Sequence, residues 1–89
     1  MFLARVYVTL KSSVNDPQGS TVLASLRSLG FKSPTSIRIG KFLEVQLETT
    51  DRGQAEREIE DMCDQLLANP VIEESRYELT KVRIAKPIE

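Results

Sequence analysis

Ile37-Arg38-Ile39-Gly40-Lys41-Phe42-Leu43-Glu44-Val45-Gln46-Leu47-Glu48 is the stretch on which the fold turns. Ile37 and Ile39 read as the start of one strand, and Gly40-Lys41 as a two-residue turn. Glycine in the first turn position suits a type II′ hairpin. The strand after it alternates cleanly: Leu43, Val45 and Leu47 face one way, while Phe42, Glu44, Gln46 and Glu48 face the other. So read, the stretch is a β-hairpin at the middle of the chain.

Working outward, each side of this hairpin carries a helix and then a strand. Towards the N-terminus, Ser33-Pro34-Thr35 is a turn. Before it, Val22, Leu23, Leu26 and Leu29 form an apolar stripe at helical spacing. Asp16-Pro17 starts that helix. The carboxylate accepts an orphan N–H, and proline suits the first helical position. Gly30 ends the helix. Ser12-Ser13-Val14-Asn15 is a loop. The first strand runs from Leu3 to Lys11, with Ala4, Val6, Val8 and Leu10 on one face.

Towards the C-terminus, Asp51 caps a second helix, and Gln54 three residues on completes a capping-box pattern. Ala55, Ile59, Met62, Cys63 and Leu66 make its apolar face, so Leu66→Ala is expected to cost ~2–5 kcal/mol. Leu67-Ala68-Asn69-Pro70 stops it. The last strand runs from Arg76 to Ile84. It changes phase between Tyr77 and Leu79 on odd positions and Val82 and Ile84 on even ones. Either a bulge or a second half paired with another chain accounts for that.

Strand-helix-strand twice over, joined by a hairpin, is the α+β βαββαβ ferredoxin-like order: an antiparallel sheet with two helices on one face. Residues 1–84 are expected to form a single domain and residues 85–89 a flexible tail. The uncovered sheet face carries Arg5, Tyr7, Arg38, Phe42, Glu44 and Gln46, read as a protein contact surface or a solvated face.

Composition narrows the function. The chain has 89 residues, 28% charged and 40% hydrophobic. Twelve basic and thirteen acidic residues give a net charge of −1, the wrong balance for nucleic acid. The chain has no histidine, which removes the commonest general base and metal ligand. Cys63 is the only cysteine and sits on an apolar helix face, the place of an inert thiol. No stretch reaches the ~18 apolar residues of a membrane span, and the N-terminus is no secretory signal. A cytoplasmic, membrane-free, non-catalytic subunit that assembles with partners fits these facts.

Three short motifs read either as local structure alone (a helix start, a hairpin tip, and a helix stop with its connector) or as contact sites, and for the first two the local reading is favoured. Asp16-Pro17-Gln18-Gly19 needs only its Asp and Pro to start a helix. A glycine in the first turn costs up to ~1 kcal/mol against alanine, which leaves close backbone approach by a neighbour as the other reading. Gly40-Lys41 lacks the surroundings of a phosphate loop. Asn69-Pro70-Val71-Ile72-Glu73 places two apolar residues in a connector, where they must pack on their own core or on a partner.

In order and spacing, Val6-Tyr7-Val8-Thr9-Leu10-Lys11, Asp16-Pro17-Gln18-Gly19, Leu29-Gly30-Phe31, Arg38-Ile39-Gly40-Lys41 and Met62 to Glu73 resemble the PurS family. That family is the small subunit of phosphoribosylformylglycinamidine (FGAM) synthase. Thr80 to Glu89 looks like an extension beyond the family's usual end. The resemblance implies a ferredoxin-like, PurS-like fold and a homodimer or higher homo-oligomer. It implies PurL and PurQ as partners, and a complex using ATP, Mg and glutamine with no cofactor, metal or catalytic residue on this chain. The role implied is to bridge the glutaminase PurQ and the synthetase PurL and to aid ammonia transfer as FGAR becomes FGAM in purine biosynthesis. Asp16, Pro17, Gln18, Gly19, Gly40, Lys41, Asn69, Pro70, Val71, Ile72 and Glu73 become the candidate partner contacts. The alternatives are an ACT-like small-ligand-binding regulatory domain, an RNA-recognition module whose one suitably placed aromatic is Tyr7, and a purely structural dimer.

Overall fold

A computed structural model describes residues 1–83. The order is β1 (Phe2–Leu10), α1 (Pro17–Ser28), β2 (Gly40–Leu47), α2 (Arg52–Met62), a π-helical turn (Cys63–Leu67) and β3 (Glu73–Lys81). The strands form one antiparallel sheet in the order β2-β1-β3. The α+β, ferredoxin-like arrangement stands, with one strand fewer than expected among the described residues.

The missing strand is the first arm of the expected hairpin. Ile37 and Ile39 lie in irregular chain, and Gly40-Lys41 is the beginning of β2 rather than a turn. Two interactions divert the segment from a ladder. The N–H of Ile39 is held by a carboxylate oxygen of Asp16 at 2.9 Å. Arg38 reaches the carbonyls of Leu10, Lys11 and Val14 at 2.7, 2.6 and 3.2 Å. Gly40 does not take the positive φ that a II′ turn needs; among the described residues only Gly30 does, at 100°. Glycine stands at position 40 because a side chain there would meet β1: a Cβ would lie 2.2 Å from the Val8 carbonyl oxygen.

The core lies on the even face of β1. Phe2, Ala4, Val6 and Val8 are buried there with Leu47 of β2 and with Ala55, Ile59 and Cys63 of the second helical segment. Leu43, Val45, Tyr77 and Leu79 continue this face on the flanking strands and are partly buried. Asp51 caps α2 by accepting from the Gly53 N–H at 3.0 Å. The expected reciprocal bond from Gln54 is absent: the Asp51 N–H donates to the Thr49 hydroxyl instead.

The π turn corrects the register of the second helix. From Cys63 the wider turn brings Leu67, not Leu66, back to the core, and Leu66 is 83% exposed. The expected cost of Leu66→Ala therefore falls away.

Helix α1 departs further from expectation. Its start is as read: Asp16 caps it and Pro17 follows. Its end is a Schellman arrangement, with the N–H of Phe31 on Leu26 and that of Gly30 on Arg27. Yet of its own residues only Gly19 is buried. Val22, Leu29 and Phe31 are among the exposed large apolar residues, so the stripe is not covered by this chain's sheet.

On the other sheet face, Tyr7 and Phe42 sit with ring centroids 5.1 Å apart, and the Arg76 guanidinium lies 4.0 Å over the Tyr7 ring. Arg5 and Glu44 approach to 3.8 Å. Arg38, assigned to this face from sequence, precedes β2 and borders Thr9 and Glu74 at the end of the face, with its guanidinium turned to backbone carbonyls. The last strand begins at Glu73, earlier than read. The Val82 N–H bonds to the Met1 carbonyl, so this position still follows β1. Ile84 and the 85–89 tail lie outside the described residues.

Candidate functional site

Antiparallel pairing brings the three singled-out motifs to one end of the sheet. Because β1 runs against both neighbours, its last residues adjoin the first residues of β2 and β3. Thr9 stands opposite Gly40 and Glu74, Val8 opposite Lys41, and Leu10 opposite Glu73. Helix α1 starts from the same end.

Asp16 joins two of the motifs. One carboxylate oxygen accepts from the Gly19 N–H at 2.9 Å, closing the helix cap, and the other accepts from Ile39, the residue before Gly40. The residue is 7% exposed, and a buried carboxylate is tolerable when both oxygens are satisfied. The Ile39 N–H, and then that of Gly19, hold its carboxyl below the usual range; burial opposes this and neighbouring Arg38 reinforces it.

Gly19 gives the close approach its position hinted at. A Cβ there would sit 2.0 Å from the Ile37 carbonyl oxygen. The first turn of α1 and the segment before β2 are therefore in backbone contact, with no room for a side chain.

The third motif is ordered by its own hydrogen bonds. The Asn69 side chain accepts from the Val71 N–H at 3.0 Å, and its carbonyl accepts from Ile72 and Glu73. The Glu73 carboxylate accepts from the Asn69 N–H at 2.7 Å and lies 3.9 Å from the Lys41 ammonium. The N–H of Lys11 binds the Ile72 carbonyl, tying the turn to the end of β1.

Between these parts lies an open cleft of about 430 Å³. Its walls are Val8, Thr9 and Leu10, the Asp16-Pro17-Gln18 start of α1, Ile39-Gly40-Lys41, and Glu73. Gly19, Asn69, Pro70, Val71 and Ile72 are not among its walls. Val71 is 77% and Ile72 40% exposed, so the apolar pair does not pack into this chain's core. Asp16 is held by two backbone donors and Glu73 by Asn69 and Lys41. That arrangement leaves both carboxylates tied to partners within this chain.

One role was not legible in the sequence: Arg38, at the end of the open face beside Thr9 and Glu74, gathers three backbone carbonyls in its fork behind the cleft. An arginine flanked by isoleucines in a short irregular segment was the available signal.

A sequence model of the family described as PurS, phosphoribosylformylglycinamidine (FGAM) synthase, matches residues 3–89. Thr80 to Glu89, set apart from the resemblance above, thus falls inside the family's span. Subunit PurS of phosphoribosylformylglycinamidine synthase from Synechocystis sp. is 47% identical over 76 residues, covering 85% of this chain and 76% of that one. The solved structure of B. subtilis PurS superposes with a TM-score of 0.83 at 44% identity, over 91% of this chain and all of the other. A chain in the structure of PurLQS from Thermotoga maritima gives 0.80 at 27% identity, over 90% and 99%.

Proposed function

The chain belongs to the PurS family, and from that premise we propose that it joins PurL and PurQ by docking at the sheet end built from Asp16, Gly40 and Glu73. As a family member it is a subunit of FGAM synthase in purine biosynthesis. It brings the glutaminase PurQ and the ATP-dependent synthetase PurL into communication, and FGAR is converted to FGAM by the assembly. ATP, Mg and glutamine are used by the complex rather than bound here, and the working compartment is the cytoplasm.

The observation that supports this most is the convergence of the three motifs on one ordered cleft, with the exposed Val71-Ile72 pair beside it. The chemistry gives such a subunit a purpose. Ammonia released into water is protonated and lost at neutral pH. Holding the two active sites together raises the effective concentration of the intermediate.

Self-association belongs to the same reading. Val22 and Leu29 of the α1 stripe are exposed, β2 has one strand neighbour among the described residues, and Leu43 and Val45 beneath it are only partly buried. A second copy supplies what each surface lacks through a two-fold contact.

The test combines this chain with PurL and PurQ and compares glutamine-dependent with ammonia-dependent ligation. The expected result is that only the glutamine-dependent rate requires this chain, which co-elutes with both partners. Equal glutamine-dependent rates with and without it refute the bridging role. Alanine at Gln18 or Lys41 in the cleft, or at the exposed Val71 or Ile72, is expected to weaken co-elution; intact assembly in all four would refute docking at this sheet end.

A further inference from the structure

We infer that Arg38 is the positioning residue of the docking cleft, setting its geometry from behind without meeting the partner through the cleft itself. The inference rests on the docking reading given under Proposed function.

The segment carrying Ile39, Gly40 and Lys41 forms one wall of the cleft, and the end of β1 forms another. The ladder already holds these two together, with Thr9 opposite Gly40 and Val8 opposite Lys41. The third wall, the Asp16-Pro17-Gln18 start of α1, hangs on the irregular loop that follows β1, and the Arg38 guanidinium ties that loop to the segment before β2. Nη2 donates to the carbonyls of Leu10 and Lys11 at 2.7 and 2.6 Å, and Nη1 to that of Val14 at 3.2 Å. One rigid planar group thus gathers three acceptors from the strand end and the loop after it. Those carbonyls cannot be served together by the compact ammonium of a lysine in the same geometry.

The loop is fixed twice over. The Val14 N–H bonds to the Lys11 carbonyl, which Arg38 also holds. Two residues beyond Val14, Asp16 reaches back to the N–H of Ile39, the next residue after Arg38. Arg38 and Asp16 therefore close a ring of interactions between the 11–16 loop and the 37–41 segment. Removing Arg38 leaves the β1–β2 ladder, Asp16 and the glycine contacts in place, so the fold survives, but the 11–16 loop that carries the helix-start wall loses its anchor to the segment before β2.

Three chains test this: wild type, Arg38→Ala and Arg38→Lys. Each is titrated into fixed PurL and PurQ while glutamine-dependent ligation is followed. Urea melts and ammonia-dependent ligation are measured in parallel. The expected result for Arg38→Ala is a rise of about tenfold or more in the half-saturating concentration of this chain, with most of the maximal rate recovered at saturation. Millimolar methylguanidinium is expected to shift that titration back towards wild type, and methylammonium is not. Arg38→Lys, which keeps the charge and loses the fork, is expected to fall well short of wild type. A titration unchanged in Arg38→Ala overturns the inference. So does a loss that Arg38→Lys restores fully, or one that follows only the unfolded fraction in the urea melt. If wild type itself does not support glutamine-dependent ligation, the docking reading fails first.

Discussion

Gly19→Ala sets two effects of opposite sign against each other. By helix propensity alone, alanine in α1 should stabilise the chain by ~0.5–1 kcal/mol. The tertiary structure reverses that sign. The new Cβ would stand 2.0 Å from the Ile37 carbonyl oxygen, 2.9 Å from its carbon and 3.2 Å from the Asp16 carboxyl carbon. All three neighbours are held: Ile37 precedes the anchored Arg38, and Asp16 is bound at both oxygens. Relief from 2.0 Å to an ordinary contact of 3.4 Å needs a backbone shift of about 1.4 Å, which strains the Ile39 to Asp16 bond of 2.9 Å. Overpacking costs ~1–3 kcal/mol, and a weakened bond to a charged acceptor adds up to ~1.5–3 kcal/mol. After the propensity gain, the expected net loss is ~2–4 kcal/mol. Equilibrium urea unfolding at neutral pH reads this directly as a lower midpoint at unchanged slope. A variant as stable as wild type, or more so, refutes the close approach and with it the joining of the helix start to the β2 entry.

Ile59→Ala is expected to cost ~2–5 kcal/mol because the side chain is fully buried, while Leu66→Ala, at an 83% exposed position, should leave the urea midpoint nearly unchanged. Asp16→Asn tests the carboxylate by its pH dependence. The folded value lies below the ordinary 3.8, so the wild-type advantage should be full above that pH and fade as pH falls through the folded value. Acid titrations of stability for the two chains should therefore converge at low pH; a gap unchanged throughout would contradict the assignment. Leu29→Asp, at a position 75% exposed in one copy, should leave the monomer's far-UV spectrum intact and shift sedimentation towards monomer. An unchanged sedimentation profile would show that α1 is not part of the contact between copies.

Much of this was written in local patterns. The even-numbered apolar residues of β1 up to Val8, the Asp16-Pro17 start, the Gly30 stop and the Asp51 cap each depend on a few adjacent residues and are found as read, while Leu10 leaves the core to line the cleft. Alternation and capping are short-range physics, so a sequence exposes them. The ordered motifs from Asp16 to Glu73 likewise carried the family without any coordinates.

Three features were settled only by residues distant in sequence. Ile37-Arg38-Ile39 has the composition of a strand, yet Asp16, Leu10, Lys11 and Val14 claim its donors first. Leu66 has helical spacing from Ile59 and Met62, but one widened turn after Met62 rotates it to solvent. The α1 stripe has the pattern of a core helix and lies outside this chain's core. Periodicity states that a face is apolar; what covers that face is set by where the chain ends anchor the helix. Here the anchors are Asp16, Gly19 and Arg38. The sequence alone determined which elements form and to which family the ordered motifs point. Tertiary structure alone decided that the motifs meet at one sheet end, because antiparallel pairing of β1 with both neighbours sets Thr9 opposite Gly40 and Leu10 opposite Glu73.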